Sequence, residues 1–175
     1  MNTRIAVNCL NCGTSSLINK GTSLHEIIAH FGIKLPYPIL GALVNNNVQE
    51  LSYEVFHPVS VQFFDITHPD GTRMYFRGLS FILFKAVHEH FPDSRLRIDH
   101  SVSKGIYCKL NPDNHEITHQ DIADIKQRMI EIVKADLPFV RVEEETAEVI
   151  RRFEAFGHFD KVPLLKHRGR NYSSY

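Results

Sequence analysis

Apolar positions along this chain recur with two different periods, and the balance between the two changes near residues 67–72. Before that point, short apolar segments of strand character are separated by turn residues, and one segment has helical spacing. The strands are predicted at 4–10, 15–18, 39–44, 48–51 and 59–66. This order of strands around one helix predicts an α+β unit in which the helix packs across a mixed sheet.

The helix of this first part carries signals at both of its ends. Its apolar face comprises Leu24, Ile27, Ile28 and Phe31. Ser23 precedes that face and Glu26 follows three residues later, which is the sequence of a capping box. Gly32 is placed to end the helix, and Pro36 and Pro38 prevent its continuation.

Helical spacing dominates the second part of the chain. The segment from His68 to Gly71 has the composition of a turn and marks the predicted domain boundary. A helix of about five turns is expected to follow it and to end before Pro92. A second helix is expected to begin at Thr118. The remaining elements are strands at 95–98, 105–110 and 139–142 and a third helix at 143–156.

Composition and charge narrow the classes of partner. The chain has 175 residues, with 20 Lys and Arg against 20 Asp and Glu. A net charge of zero argues against a protein that holds DNA through a basic face, although a small local anion site remains compatible with it. Three cysteines do not suggest a disulfide framework, and no apolar run reaches the length of a membrane span. We therefore expect a cytoplasmic protein with no membrane or DNA partner.

One motif has the letters of a metal site. The segment from His115 to His119 reads H-E-x-x-H, the pattern of zinc proteases. That chemistry needs both imidazoles on one face of an unbroken helix, whereas Thr118 is predicted to cap the helix between them. No third ligand follows at a suitable spacing. We interpret the motif as a chance match and predict no metal site.

Two further features have a functional and a structural interpretation. Cys9 and Cys12 form a lone C-x-x-C at a strand end, which we interpret as one buried side chain and one turn residue. The basic and aromatic stretch 161–175 could contact RNA, but a solvated tail or connector is the favoured interpretation. The sequence has no P-loop and no G-x-S-x-G element.

Several phrases resemble a known pair of domains. The segments 21–28 and 39–45 resemble the TGS domain of threonyl-tRNA synthetase, and the phrases at Phe91, Lys104–Tyr107 and Lys161–Leu165 resemble its second additional domain. The resemblance implies a β-grasp (ubiquitin-like) TGS domain over residues 1–67. It implies an α+β editing-like domain over residues 72–175, which we expect to be incomplete at its C-terminal end.

The departures from that family bear on function. The editing helix of the synthetase carries H-x-x-x-H, and the matching positions here are Arg77 and Phe81. A guanidinium is a permanent cation and a phenyl ring has no lone pair, so neither can serve as a base. Lys161 matches a lysine of the editing pocket, but the later Cys and His of the family would lie beyond Tyr175. The same pair of domains precedes the kinase domain of bacterial uridine-kinase-type proteins, to which the segment 99–108 is closer.

The resemblance therefore implies a non-catalytic, regulatory module of a larger bacterial nucleoside-kinase-like protein, which binds a nucleotide or a tRNA or RNA end. The candidate pocket residues are Arg77, Phe81, His100, Lys104, Tyr107 and Lys161. Arg77 and Lys161 would meet phosphate, and Phe81 or Tyr107 would stack on a base, although Phe81 fits a core position equally well.

No catalytic residue, metal or cofactor is expected in this segment, with ATP and Mg²⁺ belonging to a separate kinase domain. One alternative is an editing hydrolase that acts on mischarged threonyl-tRNA. Another is a structural adaptor that docks onto its own kinase domain.

Overall fold

The computed structural model describes residues 3–103, 105–111, 116–159 and 161–175, which divide into two compact units, Met1–Ile132 and Val133–Tyr175. The first unit contains β1 (Arg4–Cys9), β2 (Thr14–Asn19), β3 (Thr22–Ser23), α1 (Leu24–Phe31), β4 (Gly41–Val44), β5 (Asn47–Gln49), β6 (Glu54–Val55), β7 (Val59–Phe64), α2 (Pro69–His90), β8 (Arg95–Val102), β9 (Gly105–Asn111) and all but the last two residues of α3 (His119–Lys134). The second contains β10 (Glu143–Glu145), α4 (Thr146–Ala155), α5 (Val162–His167) and β11 (Tyr172–Ser174). The predicted domain boundary at 67–72 covers the end of the β7–α2 connection and the first turn of α2, and it stays a prediction.

A five-stranded sheet in the order β2-β1-β7-β4-β5 forms the base of the first unit. Strands β1 and β7 run parallel, and the other pairings in this sheet are antiparallel, so the sheet is mixed as predicted. Helix α1 buries Leu24 and Ile27 in the same apolar cluster as Val7, Val61 and Phe63. Each such side chain contributes roughly 1.5–3 kcal/mol when it leaves water. The mixed α and β composition agrees with the predicted α+β class.

The ends of α1 are formed by the residues that the sequence indicated. The Ser23 hydroxyl accepts a hydrogen bond from the Glu26 amide at 3.3 Å, and the Glu26 carboxylate accepts one from the Ser23 amide at 2.8 Å. Gly32 follows the helix in the left-handed region with φ of 62°. The predicted capping box and C-terminal stop are confirmed.

Helix α2 begins earlier than the sequence suggested. The segment from His68 to Gly71 is not a free turn, because Pro69 is the first helical residue and His68 is its N-cap. The His68 Nδ1 atom accepts a hydrogen bond from the Asp70 amide at 3.2 Å. Proline is well suited to this position, since its fixed φ fits a helix and its missing N–H would be unpaired there.

A buried carboxylate lies in the segment between β7 and α2. Asp65 is only 3% exposed, and it accepts hydrogen bonds from the Thr67 hydroxyl (2.6 Å), the Thr67 amide (2.9 Å) and the Tyr37 amide (3.2 Å). The Thr67 hydroxyl, followed by its amide, holds the pKa of Asp65 below its usual range.

The stability of the protein should therefore fall in acid in a way that depends on Asp65. A carboxylate whose pKa is lowered by folding stabilises the fold at neutral pH, and this contribution is lost as the pH falls through the folded-state pKa, below about 4. Urea unfolding at neutral and acid pH should show Asp65→Asn less stable than the wild type at pH 7, with the difference shrinking in acid. The exposed Asp93 supplies the control, Asp93→Asn, for which an equal pH-dependent difference would contradict the assignment.

A second apolar cluster joins α2, α3 and the β8–β9 hairpin. Its buried members are Ala86, Val87, Ile125 and Ile132, with Leu96 and Leu110 of the hairpin packed against them. The Arg128 guanidinium on α3 bonds the Glu89 carboxylate on α2 at 2.7 Å. Together with Lys85, it lowers the pKa of Glu89 to about 2.

The second unit departs most from the sequence prediction. Strand β10 spans Glu143–Glu145 rather than 139–142, and helix α4 begins at Thr146 rather than at residue 143. The stretch 161–175 is not a solvated tail, because it forms α5 and then β11, which pairs antiparallel with β10. The buried Thr146 hydroxyl bonds the Arg170 carbonyl at 2.7 Å and the Ser173 hydroxyl at 2.9 Å. The backbone pairing with β11 and these side-chain hydrogen bonds stabilise β10 as a strand, although glutamate has a poor strand propensity.

Within the described ranges, no helix is both long enough and apolar enough to cross a membrane.

Candidate functional site

A cleft of about 590 Å³ lies between the N-terminal half of α2 and the end of the β8–β9 hairpin. The helix contributes Thr72, Arg73, Phe76 and Arg77. The hairpin contributes Ser101, Ser103, Gly105 and Ile106. All of these residues belong to the first unit.

The helical wall of the cleft follows from helical periodicity. Residues 72, 73, 76 and 77 are spaced so that they share one face of α2, since side chains three and four residues apart are neighbours. Arg73 donates to the Asp70 carboxylate at 2.6 Å and is thereby held at the start of the helix. Arg77 has no ion pair or hydrogen bond with any residue that the structure describes, so its guanidinium is available to a ligand.

The hairpin wall depends on an irregularity in strand pairing. Ile98 pairs with Cys108 and Ser101 pairs with Ile106, so two residues of β8 oppose Tyr107 alone. Such a bulge turns the following side chains relative to the rest of the strand. Beyond it, Ser103 adopts a positive φ of 53° at the hairpin turn. The bulge and the turn bring the two serines to the cleft.

The lining is suited to an anion that also carries an apolar or aromatic group. Among the described residues, it contains two guanidinium groups, two serines, a threonine and an aromatic ring, and no carboxylate or imidazole. Guanidinium groups recognise phosphate and carboxylate through paired N–H donors, and hydroxyls add donors of adjustable direction. The ring of Phe76, which is 37% exposed, offers a face on which a base can stack.

The structure places the predicted site residues in several locations. Arg77 lines the cleft, whereas Phe81 lies one turn further along α2 and is 64% exposed, so its interpretation as a core residue is wrong. The rings of His100 and Tyr107 contact each other, with their centroids 5.6 Å apart. Because side chains alternate along a strand, Tyr107 lies on the face of β9 opposite Ile106, which lines the cleft.

Lys104 and Lys161, like Phe81, His100 and Tyr107, are not among the described residues that line the cleft. Lys104 lies outside the described residues. Lys161 belongs to the second unit, where its exposed side chain precedes α5. The binding roles assigned to all six residues stay predictions.

Of the described residues that line the cleft, sequence reasoning identified Arg77 and missed the others, among them Arg73, Phe76 and Ser103. Arg73 could have been inferred from Arg77, because it lies four residues before it on a predicted helix, and Phe76 from Arg73, because it lies three residues after it. The contribution of Ser103 depends on the hairpin turn, which no separate sequence signal indicated.

The structure also bears on the C-x-x-C and H-E-x-x-H motifs. Cys9 is buried in β1 and Cys12 is exposed in the turn, as predicted. Helix α3 begins at His119, and the Thr118 hydroxyl accepts from the Asp121 amide at 3.2 Å, which confirms the predicted cap. The first histidine of the H-E-x-x-H pattern, His115, lies outside the described residues. Among the described residues, no group of three or more His, Cys, Asp or Glu side chains is arranged to hold a metal ion.

The second unit has a smaller cleft of different character. Its volume is about 470 Å³, and it is lined by Glu145, Thr146, Ala147, Arg170, Asn171 and Tyr172. A carboxylate and a guanidinium in the same lining make it less suited to an anion than the cleft beside α2.

Comparison with known proteins shows that the chain is similar to threonine–tRNA ligases. No protein-family model matches it. A threonine–tRNA ligase from Prosthecochloris aestuarii is 31% identical over 156 residues, which cover 88% of this chain and 23% of the relative. Corresponding enzymes from Ehrlichia chaffeensis and Citrifermentans bemidjiense are 26% and 25% identical, over 84% and 90% of this chain.

The similarity covers most of this chain but only a minor part of these relatives. The chain spans about a quarter of their length, at 23%, 23% and 24% of the three. The resemblance to threonyl-tRNA synthetase is thus confirmed. The relation to nucleoside kinases stays a prediction.

Proposed function

We propose that this chain is a non-catalytic module that binds the end of a tRNA in the cleft between α2 and the β8–β9 hairpin. The observation that carries the proposal is the pair of arginines beside an exposed phenyl ring and serines, in a chain similar to threonine–tRNA ligases over 88% of its length. Arg73 and Arg77 bind phosphate oxygens, Phe76 stacks on a base, and the Ser101 and Ser103 hydroxyls complete the polar contacts.

The chemistry of the lining supports binding over hydrolysis. A hydrolase that cleaves an aminoacyl ester needs a group that positions or deprotonates water. Arginine stays protonated, and serine without a neighbouring base is a poor nucleophile. The described lining offers neither an imidazole nor a carboxylate for that task.

The proposal also includes the identity of the two domains and of the parent protein. Residues 1–67 form a TGS domain of the β-grasp type, which is supported by the strand order β2-β1-β7-β4-β5 with one helix packed on the sheet. Residues 72–175 form a domain related to the editing domain of threonyl-tRNA synthetase. The parent protein is a nucleoside kinase of the uridine kinase type, whose kinase domain would hold ATP and Mg²⁺. This assignment rests on the segment 99–108 alone.

Replacing Arg77 by alanine should weaken tRNA binding. A hydrogen bond to a charged group contributes about 1.5–3 kcal/mol, so the Kd should rise roughly tenfold or more. The slope of log K against log salt should also fall by about 0.7, the value for one phosphate contact with a single strand. Fluorescence anisotropy with labelled tRNA measures both quantities.

The matched control is Arg151→Ala, which removes an exposed arginine from α4 in the second unit. Both substitutions place alanine in a helix, where it is favourable, and both remove one positive charge. The control should change the Kd by less than about twofold, since it touches only a surface ion pair. Equal losses in the two variants would show that the binding reflects net charge and would exclude the cleft as its site.

A deacylation assay separates this function from the editing alternative. With the wild-type chain present, mischarged seryl-tRNA should be hydrolysed no faster than it is spontaneously. Turnover that disappears in Lys161→Ala would establish the hydrolase and overturn the non-catalytic assignment.

A further inference from the structure

The turn between β1 and β2 holds two cysteines in different environments. Cys9 is the last residue of β1 and has no exposed surface, while Cys12 is exposed. The Cys12 Sγ atom lies 2.9 Å from the Thr14 Oγ1 atom and 3.8 Å from the Cys9 carbonyl oxygen. Cys9 and Cys12 belong to one turn, with the Cys12 sulfur next to the Cys9 backbone. An exposed sulfur thus lies within reach of a shielded one.

We propose that Cys12 is a site of reversible oxidation by hydroperoxides and that Cys9 resolves the oxidised form as an intramolecular disulfide. In the first step, the Cys12 thiolate attacks one oxygen of the hydroperoxide, the O–O bond breaks, and hydroxide or alkoxide leaves. The sulfur is thereby oxidised to a sulfenic acid. In the second step, the Cys9 sulfur attacks the Cys12 sulfur, the S–S bond forms, the S–O bond breaks, and water leaves with the thiol proton.

The environments of the three cysteines support this division of roles. The Thr14 hydroxyl lowers the pKa of the Cys12 thiol, whereas burial raises the pKa of Cys9. Burial, with a contribution from Asp99, also raises the pKa of Cys108. Because the thiolate is the reactive form, Cys12 is the attacking thiol, and Cys108 is a second exposed cysteine that serves as an internal reference.

The positions of lysine and arginine allow trypsin to separate the Cys9–Cys12 pair from Cys108. The full chain is treated with one equivalent of hydrogen peroxide while folded, then denatured, alkylated with N-ethylmaleimide and digested with trypsin. Cleavage after Arg4 and Lys20 gives a peptide 5–20 that contains both Cys9 and Cys12, and cleavage after Lys104 and Lys109 isolates Cys108. Mass spectrometry then reports the state of each peptide.

We expect peptide 5–20 to lack two hydrogens and to carry no maleimide, and the Cys108 peptide to remain alkylated. Dithiothreitol should restore two alkylation sites in peptide 5–20. Oxidation of Cys108 at an equal or higher rate would overturn the proposal. So would a sulfinic acid at Cys12 beside a Cys9 that still takes up maleimide.

Two surface variants test the mechanism without disturbing the core. Cys12→Ser should leave Cys9 fully alkylated after peroxide treatment. Thr14→Val keeps the branched shape of an exposed strand residue and removes its hydroxyl, so oxidation of Cys12 should slow several-fold. Loss of the Cys9 thiol in Cys12→Ser, or an unchanged oxidation rate in Thr14→Val, would contradict the assigned roles.

Discussion

Replacing Gly71 by alanine should lower the free energy of unfolding by about 1–3 kcal/mol, the usual cost of forcing an atom into a packed site. Gly71 is buried in the first turn of α2, and a Cβ atom there would overlap the Asp65 carbonyl oxygen. Its φ lies outside the left-handed region, so the requirement for glycine is one of space. Urea unfolding of the two proteins at pH 7 measures the loss.

The same helix supplies a control of opposite sign. Gly78 lies two turns further along α2, and a Cβ atom there would meet nothing within 4 Å. Gly78→Ala should raise the free energy of unfolding by about 0.5–1 kcal/mol, since alanine is the better helix former. A loss at both positions would show that α2 does not tolerate alanine in general, and it would remove the argument from close packing.

The close approach at Gly71 also bears on the cleft. The Thr72 hydroxyl donates to the Ile66 carbonyl at 2.8 Å, so two successive residues fix the start of α2 against the end of β7. Arg73 and Phe76 follow within the next turn. The position of the helical wall is therefore set by the end of the sheet.

Sequence patterns predicted the first sheet and α1 because their signals are local. A capping box, a glycine stop and alternating apolar residues each act within a few positions, and the structure has all three. The start of α2 was misinterpreted because proline suits both a turn and the first position of a helix, and the glycine that follows is typical of a turn. Only the contact with Asp65 distinguishes the two.

The second unit was poorly predicted because its register depends on distant pairing. Strand β10 is three glutamates, and its partner β11 lies about thirty residues later, as in the pair Glu143 and Ser174. Composition gives no sign of such a pairing. For the cleft, the family resemblance pointed to Arg77, but the contribution of Ser101 depends on a bulge that the alternation of β8 does not show.

One polar side chain extends the backbone pairing at the centre of the first sheet. Strands β1 and β7 pair up to Cys9 and Val61, and then β1 turns away. The side chain of Asn11 then replaces the backbone of β1 as the partner of β7. Its Oδ1 atom accepts from the Phe63 amide at 2.7 Å, and its Nδ2 atom donates to the Phe63 carbonyl at 3.0 Å. One amide thus satisfies both backbone groups of a core residue.

Removing this amide should have an effect as large as a cavity in the core. Asn11→Ala leaves the Phe63 N–H and C=O groups without these partners, and each unpaired group costs about 1–3 kcal/mol. We expect the free energy of unfolding to fall by about 2–4 kcal/mol in urea unfolding. The control Asn47→Ala removes an exposed amide with one long bond of 3.4 Å and should cost less than about 0.5 kcal/mol.

A charged isostere separates the two hydrogen bonds by their pH dependence. In Asn11→Asp, the carboxylate still accepts from the Phe63 amide but opposes the Phe63 carbonyl with a second acceptor. Protonation would supply the missing donor, so folding raises the pKa of this carboxyl. The stability gained appears as the pH falls through the raised folded-state pKa and is complete below about 4. The difference from the wild type should therefore narrow in acid. A difference that is constant with pH would show that the bond to the Phe63 carbonyl contributes nothing.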